Sequence, residues 1–354
     1  MPKRLLISAA EPSGDLLAAE LVAALRKEKD MEVAGIAGPK MRAAGVHPIG
    51  LVEDISVMGV AEVFSHLGAI KRARTLMKQA ILKGADVLVV IDAPDFHMPL
   101  ARFARARGIR VVGYVSPQIW AWRSGRAERI AAQLDTLLCL FRFEPELYTK
   151  VSPGFDARWV GHPVLDRVPA RGRPDPHLFG LLPGSRLQEL KRHLVPFLAA
   201  AALIREEDPQ AVFRVVVPDT LRPKLGDLPA WVEPISTING LVNARAALTK
   251  SGTVTLELAA MGIPMVVAHR VHPITYWLGR LLVRGVRHIA LPNVLAEKEG
   301  RSLQVREFVQ RFSPAQLAQA VVGLPVQQSI DLSGLGHGGA VGRVATAVTE
   351  SWRG

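Results

Sequence analysis

Residues 87–97 contain the stretch that decides the fold, Val-Leu-Val-Val-Ile-Asp-Ala-Pro-Asp-Phe-His. Five apolar residues, four of them β-branched, end in a short polar turn, and an amphipathic stretch at Leu100–Arg107 follows. An apolar run without alternation is typical of a strand that is buried on both faces of a sheet. The order of apolar run, turn and amphipathic helix recurs along the chain, which is typical of a parallel sheet covered by helices.

This alternation predicts an α/β fold with doubly wound parallel sheets in both halves of the chain. The predicted strands are Leu5–Ala9, Val33–Ala37, Val87–Asp92, Val111–Ser116, Leu137–Phe141, Trp159–Gly161, Phe179–Leu182, Phe213–Pro218, Val232–Ile235, Ala247–Thr249 and Met265–Ala268. The predicted helices are Leu16–Lys27, Val63–Leu82, Leu100–Arg107, Ser124–Gln133, Leu187–Glu207, Thr253–Met261, Tyr276–Val283, Gln304–Arg311 and Pro314–Gly323. Pro196 should break or kink the helix in which it lies.

A seam near residues 162–175 divides the chain into two halves of similar size. Gly161-His162-Pro163 ends a strand, and Arg171–Pro176 is rich in Pro, Arg and Gly. We expect Rossmann-like domains at residues 1–165 and 166–330, with a ligand cleft between the carboxyl ends of both sheets. A loop and helix at residues 331–354 could pack on either domain.

The composition limits the classes of partner. The 354 residues carry 44 Lys and Arg against 32 Asp and Glu, a formal net charge of +12. This favours anionic partners such as phosphorylated substrates, anionic lipid or nucleic acid, although a general preference for Arg would give the same balance. The single cysteine, Cys139, excludes a disulfide framework and a cysteine zinc cluster, and fits a reducing cytosol.

The hydropathy pattern favours contact with a membrane surface. No apolar run reaches the ~18 residues of a membrane span, and the N-terminus is too short and too soon interrupted for a secretion signal. Yet the mean hydropathy is positive, at +0.19. Phe64–Met77 and Tyr276–Arg287 combine large apolar residues with Arg or Lys, as interfacial helices do. Each alone is more typical of an ordinary amphipathic surface helix. Together, and with the net charge, they favour contact with a membrane surface and indicate a peripheral membrane protein.

Three motifs in the first half follow predicted strands. The first motif is Ala9–Asp15, which contains Glu11, Ser13, Gly14 and Asp15. It could bind an anion or a sugar at the start of a helix, or Ser13 and Asp15 could simply cap that helix. Asp92 and Asp95, with His97 nearby, could take a proton from a substrate hydroxyl, or form a turn that closes the strand. Tyr114–Arg123, with Trp120 and Trp122, could hold a sugar face or an acyl chain, or pack in the core.

Three motifs in the second half suit a nucleotide diphosphate. The first motif is the turn Gly184-Ser185-Arg186, which precedes a helix that contains Glu189. The second is the turn Ser251-Gly252-Thr253, which precedes a helix that contains Glu257. Both turns could bind phosphate, and a capping box would also explain the second. The third motif comprises Asn293, Glu307 and Gln310, which are residue types that suit contacts to uracil or sugar hydroxyls. Glu307 and Gln310 would share a helix face, and by itself this pattern is more typical of a solvated helix face. Gly334–Gly339 matches GxGxxG, but no βαβ unit can follow it, so we reject a dinucleotide site.

Taken together these motifs resemble the lipid-A-disaccharide synthase family. The matching stretches run in order from residue 5 to about residue 323; the most specific are Tyr114–Arg123, Asp92–Phe96 and Leu291–Asn293. The resemblance implies a GT-B fold and an inverting transfer of 2,3-diacylglucosamine from its UDP derivative to 2,3-diacylglucosamine 1-phosphate. The expected products are the β-1,6 disaccharide and UDP, made at the cytoplasmic face of the inner membrane of a Gram-negative-type bacterium.

The resemblance also assigns roles to residues. Asp92 would be the general base, with Asp95 as the alternate base or as the group that orients Asp92. The residues expected to hold the nucleotide and donor sugar are Gly184, Ser185, Arg186, Ser251, Gly252, Thr253, Glu257, Asn293, Glu307 and Gln310. The acceptor side would comprise Glu11, Ser13, Gly14, Asp15 and Trp120. No metal or other cofactor is expected, since the sequence has no Asp-x-Asp motif, and homo-oligomerisation stays open.

Two other classes of function remain to be distinguished. A UDP-sugar 2-epimerase would share the fold and would turn over its substrate without lipid. A nucleic-acid-binding protein would need a clustered basic face, whereas the basic residues here are spread along the chain. A dehydrogenase is disfavoured because the glycine fingerprint is misplaced.

Overall fold

The computed structural model describes residues 3–55, 63–122, 124–271 and 286–352, with the side chains of residues 63–66, 121, 122 and 124 left out. The chain forms two compact units, Met1–Asp166 with Leu335–Gly354, and Arg167–Gly334. The helix at Ala340–Glu350, whose placement the sequence left open, therefore belongs to the first unit. Its Val344, Ala345 and Val348 are buried in the core of that unit.

The first unit is built on a parallel sheet of seven strands in the order β3-β2-β1-β4-β5-β6-β7. Its strands are β1 Lys3–Ser8, β2 Met31–Ala37, β3 His47–Leu51, β4 Val87–Ile91, β5 Arg110–Tyr114, β6 Thr136–Cys139 and β7 Asp156–Trp159. Its helices are α1 Pro12–Glu28, α2 Pro39–Ala43, α3 Val52–Ile55, α4 Val63–Leu82, α5 Pro94–Arg105, α6 Ile119–Trp122, α7 Ala127–Ala131 and α8 Glu144–Thr149, while α9 Val164–Arg167 leads into the second unit. Strand β4 is buried along its whole length, as its apolar run predicts.

The second unit has a parallel sheet of six strands in the order β10-β9-β8-β11-β12-β13. Its strands are β8 Asp175–Leu182, β9 Val212–Val216, β10 Val232–Ile235, β11 Ala244–Thr249, β12 Met265–His269 and β13 Arg306–Val309. Its helices are α10 Leu187–Glu207, α11 Val254–Ala260, α12 Leu291–Lys298 and α13 Pro314–Val322; α14 is Ala340–Glu350 of the first unit. The predicted α/β class with two doubly wound parallel sheets is confirmed.

The structure corrects several sequence-based predictions. The predicted helix Gln304–Arg311 is wrong, because residues 306–309 form the strand β13, which pairs with β12. Glu307 therefore lies on a strand, and Gln310 follows its end, so the two do not share a helix face. The predicted break at Pro196 is also wrong, because α10 continues through it. Buried residues on both sides, among them Leu194 and Phe197, hold the helix against the core and offset the missing hydrogen bond.

Smaller differences concern the ends of elements. Helix α5 begins at Pro94, six residues before its predicted start, so Asp95 lies in its first turn. Strand β3 and helix α12 were not predicted. The predicted helix at Ser124–Gln133 is a 3-10 turn followed by the short α7. The predicted helix Tyr276–Val283 lies outside the described residues.

Candidate functional site

The carboxyl ends of β1, β4 and β5 lie side by side at the centre of the first sheet. The chain order reverses between β1 and β4, and in open parallel sheets ligands bind at such a reversal. Three non-glycine residues with positive φ follow two of these strands, namely Asp92 (φ 48°) and Ala93 (φ 44°) after β4 and Val115 (φ 75°) after β5. Positive φ costs such residues about 1–3 kcal/mol each, and strain of this kind collects at functional sites. The strained backbone marks this edge as the site of the first unit.

His97 fixes the turn that carries Asp92. The ring is fully buried, and its Nδ1 lies 2.7 Å from the carbonyl oxygen of Asp92. Because a carbonyl can only accept, Nδ1 carries the proton. Burial lowers the pKa of His97 to about 4, so the ring is neutral at pH 7 and its Nε2 accepts from the Ser8 hydroxyl, 2.9 Å away. The imidazole therefore ties the end of β1 to the turn after β4.

Asp92 has the environment that a general base needs. The residue as a whole is exposed to solvent. Neighbouring protein atoms nevertheless displace water from around its carboxyl, which raises the pKa of that group, and the negative charge of Glu11 raises it further. Glu11 follows β1, and its charge acts on the Asp92 carboxyl. The structure thus brings together two acidic side chains that are 81 positions apart in the sequence.

Asp95 has a different setting. Its carboxylate is largely exposed and accepts a hydrogen bond from the Arg126 guanidinium at 2.6 Å. The structure gives no hydrogen bond between the carboxyl groups of Asp92 and Asp95. The contacts thus place Asp95 beside Arg126 and offer no support for its acting on Asp92.

The other acceptor-side candidates differ in their exposure to solvent. Ser13 is exposed at the start of α1, while Gly14 packs so closely that a Cβ there would lie 3.3 Å from the Ala9 side chain. Asp15 is buried, and its carboxylate accepts hydrogen bonds from the backbone N–H groups of Lys40 and Met41. It caps α2. The alternative prediction, that Ser13 and Asp15 cap α1, is wrong, because the start of α1 has no side-chain cap.

Trp120 lies in the core, as the competing interpretation of its motif predicts. Its Nε1 donates to the carboxylate of Glu144 at 3.2 Å, and its ring packs edge-on against Phe141 and Phe143. Glu144 is a buried acid that the sequence analysis did not single out. Burial raises its pKa to about 8, although three N–H donors contact its oxygens. The side chain of Trp122 and all of Arg123 lie outside the described residues.

The two predicted phosphate turns of the second unit flank its own reversal of strand order, between β8 and β11. Gly184–Arg186 follows β8, and Ser251–Thr253 follows β11. Gly184 has φ +127°, and a Cβ there would lie 2.5 Å from the Cβ of Glu189, so the first turn requires glycine. The second turn has no capping box: Thr253 makes no side-chain cap, and Thr255 donates to the Gly252 carbonyl instead.

A partly buried ion pair joins these two turns. The Lys250 ammonium lies 3.0 Å from Glu189, whose other oxygen accepts the N–H of Ser185. Although burial works in the opposite direction, the charge of Lys250 holds the pKa of Glu189 below its ordinary value. The pair therefore keeps Lys250 and Ser185 at one place on the sheet edge. Arg186 is exposed beside them, and Glu257 is half-buried on α11.

Asn293, Glu307 and Gln310 make internal contacts. Asn293 is fully buried; its oxygen accepts from the N–H groups of Gln304 and Val305, and its amide donates to Val305 and to Glu307. Glu307 also accepts the N–H groups of residues 289 and 290. Gln310 exchanges two hydrogen bonds with the backbone of Val271. The contacts of Glu307 fix the loop that precedes α12. In that loop the carbonyl oxygen of residue 289 accepts a hydrogen bond from the Ser251 hydroxyl.

The sequence analysis did not identify His193 and His269. Their rings stack 5.4 Å apart near Lys250, and burial, followed by the charge of His193, lowers the pKa of His269 to about 4. Lone histidines in an apolar helix and strand carry no motif, so only their contact in the fold could reveal them. Within the described ranges, no group of three or more His, Cys, Asp or Glu could hold a metal ion, and no helix is long and apolar enough to cross a membrane.

Comparison with known proteins identifies related sequences. The sequence profile of one family, described as Lipid-A-disaccharide synthetase, matches residues 5–328. The lipid-A-disaccharide synthases of Geobacter sulfurreducens and Geobacter metallireducens are 36% and 38% identical to this chain over 384 and 385 residues, covering 98% of it and 97% of each relative.

Solved structures with the same fold are more distant in sequence. The glycosyltransferase of kitacinnamycin aligns with TM-score 0.67 at 18% identity, covering 99% of this chain and all of its own. MurG from Acinetobacter baumannii aligns with TM-score 0.59 at 15% identity and the same coverage, and a UDP-GlcNAc 2-epimerase from Neisseria meningitidis with TM-score 0.61 at 11% identity. At these identities the likeness shows the fold alone, which is GT-B.

Proposed function

The chain belongs to the lipid-A-disaccharide synthetase family of glycosyltransferases, and on this premise we propose that it transfers 2,3-diacylglucosamine from UDP-2,3-diacylglucosamine to 2,3-diacylglucosamine 1-phosphate. The reaction would invert the anomeric centre and yield a β-1,6 disaccharide and UDP. The observation that carries the proposal is the setting of Asp92, an exposed carboxyl with a raised pKa on a strained turn at the strand-order reversal of the first unit.

Asp92 acts as the general base in this proposal. The acceptor 6-hydroxyl gives its proton to the Asp92 carboxylate as its oxygen attacks the anomeric carbon of the donor. A carboxyl group with a raised pKa takes a proton more readily than an ordinary one. Glu11 contributes through its charge, and His97 holds the turn.

The second unit receives the leaving UDP. Lys250 and Arg186 are positively charged groups at the two turns, and the Ser251–Thr253 turn supplies backbone N–H groups. Such donors stabilise the negative charge that develops on the diphosphate as the glycosidic bond breaks. Glu257 would accept hydrogen bonds from the ribose hydroxyls, and Asn293, Glu307 and Gln310 would shape the loop beside the nucleotide.

The proposal includes no metal and places the enzyme on the cytoplasmic face of the inner membrane. Because cationic side chains meet the diphosphate, chelation with EDTA should leave the rate unchanged.

Leu67 on α4 is 52% exposed, which suits a surface that meets lipid. Flotation with anionic vesicles at low salt tests the membrane contact, and the absence of binding would count against it.

The test of the proposed function is release of UDP from UDP-2,3-diacylglucosamine with and without the monosaccharide 1-phosphate. We expect release that depends on the acceptor, together with a new disaccharide. Turnover of UDP-N-acetylglucosamine without lipid would instead favour the epimerase alternative. The Asp92→Asn variant serves as the control for background hydrolysis.

A further inference from the structure

A cavity of about 270 Å³ lies in the first unit, between α5 and the segment that contains α7. Met98 and Ile130 contribute apolar surface to it, and Arg102, Arg126 and Arg129 bring three guanidinium groups to its wall. All of these residues come from one compact unit. The mechanism proposed above uses none of them.

The charges around this cavity are unbalanced. Asp95 is the one acidic residue among those that line it, and its carboxylate pairs with Arg126 at 2.6 Å. Arg102 and Arg129 are exposed, and their guanidinium groups make no hydrogen bond or ion pair with any group that the structure describes. The cavity therefore presents two uncompensated guanidinium groups, and a phosphate monoester would carry the complementary double charge.

The cavity lies next to the proposed base. Pro94 lines it and is two residues from Asp92, so their Cα atoms are at most about 7 Å apart. In an acceptor that is a hexosamine 1-phosphate, C1 bears the phosphate and C5 bears the CH₂OH group of the 6-hydroxyl, and both carbons neighbour the ring oxygen. A phosphate held in the cavity would thus keep the 6-hydroxyl close to the cavity, as Asp92 is.

We propose that this cavity binds the anomeric phosphate of the acceptor, with Arg102 and Arg129 as its ligands. Asp95 is a positioning residue in this arrangement, because its carboxylate holds the Arg126 guanidinium at the wall of the cavity. The inference rests on the proposed function, since that function supplies a phosphorylated acceptor. The headgroup of an anionic phospholipid has the same chemistry, so the test must separate the two sources.

The experiment compares the wild type with the double variant Arg102→Ala/Arg129→Ala in neutral detergent micelles that contain no anionic lipid. We expect the KM for 2,3-diacylglucosamine 1-phosphate to rise at least about tenfold, as the loss of charge-assisted hydrogen bonds implies, with the donor KM and the Tm unchanged. An acceptor with a free anomeric hydroxyl should be a poor substrate for the wild type and equally poor for the variant. The matched control is Arg110→Ala, since Arg110 is exposed at the opposite end of β5.

Two outcomes would overturn the proposal. If the double variant keeps the wild-type preference for the phosphorylated acceptor but loses flotation with phosphatidylglycerol vesicles, the cavity binds a lipid headgroup instead. If neither property changes, the arginines are ordinary solvated side chains.

Failure of the proposed function would be recognised separately, because the wild type would then release no UDP with either acceptor. In that case, titration of the soluble probe glucosamine 1-phosphate by NMR still tests the cavity. Binding that the double variant loses supports a phosphate site, and equal binding or none overturns it.

Discussion

The Nδ1 atom of His97 lies 2.7 Å from the carbonyl oxygen of Asp92, and the same ring reaches Ser8 through Nε2. One buried, neutral imidazole thus connects two strands at the point where the order of the sheet reverses. The bond satisfies a carbonyl in a turn whose residues 92 and 93 both have positive φ. His97 therefore helps to fix the turn that carries the Asp92 carboxyl.

Replacement of His97 should lower both stability and turnover. In His97→Ala the Ser8 hydroxyl and the Asp92 carbonyl lose their partners, so we expect a loss of about 1–3 kcal/mol in the free energy of unfolding. In His97→Asn the amide N–H can still reach the Asp92 carbonyl, so kcat should recover in part. Urea unfolding and kcat measured for both variants test this expectation. Equal kcat values for the two variants would show that the bond to Asp92 does not position the base.

Asp92 and Asp95 should differ sharply in their contribution to catalysis. Asp92→Asn should keep the fold and reduce kcat by roughly 10²–10⁴, the usual contribution of a general base. Asp95→Asn should leave kcat within about tenfold of the wild type, since its carboxylate pairs with Arg126. Acceptor-dependent UDP release measures both variants. The reverse order of effects would transfer the role of base to Asp95.

The pH profile should depend on Glu11. Asp92 must be ionised to take a proton, so kcat/KM should fall on the acid side as pH drops through the pKa of Asp92, which is raised above the ordinary value of about 3.9. Removing the negative charge in Glu11→Gln lowers that pKa, so the acid limb should move to lower pH. An unmoved limb would mean that Glu11 does not act on the base. Ser13→Ala, in the same loop, is the uncharged control.

Glu144 should make stability depend on pH. Its pKa is about 8 in the folded chain and about 4.3 when unfolded, so between these values the folded state holds one proton more. The free energy of unfolding should therefore fall as pH rises from 5 to 8, by at most about 1.4 kcal/mol per pH unit. Glu144→Gln should flatten this slope in urea unfolding, whereas Glu146→Gln, on the exposed face of the same helix, should not. Parallel slopes for all three proteins would contradict the prediction.

Asn293 should contribute mainly to stability. Asn293→Ala leaves several buried polar groups without partners, so we expect a loss of about 3 kcal/mol or more, compared with little change in the exposed Asn239→Ala. Arg186→Ala should instead raise the donor KM and leave the Tm unchanged. A stable Asn293→Ala protein with a raised donor KM would assign Asn293 to the nucleotide.

The fold class and the positions of the motifs that follow strands can be predicted from local sequence patterns. The apolar run at residues 87–91 predicts a fully buried central strand, and β4 is one, because a strand covered on both faces excludes polar residues. Asp92, Glu11 and the two phosphate turns were predicted at strand ends for the same reason. Their loops lie where parallel strands meet the reversals of sheet order.

Contacts between distant parts of the chain determine which of these side chains hold the fold together. Asp15, Trp120 and Asn293 have the chemistry of a binding site, yet their polar atoms contact backbone groups or a buried carboxylate. Residues 306–309 form a strand because β12 offers an edge to pair with, and that edge comes from a distant part of the chain. Hydrogen-bond partners and burial depend on contacts between residues far apart in sequence, so local pattern cannot specify them.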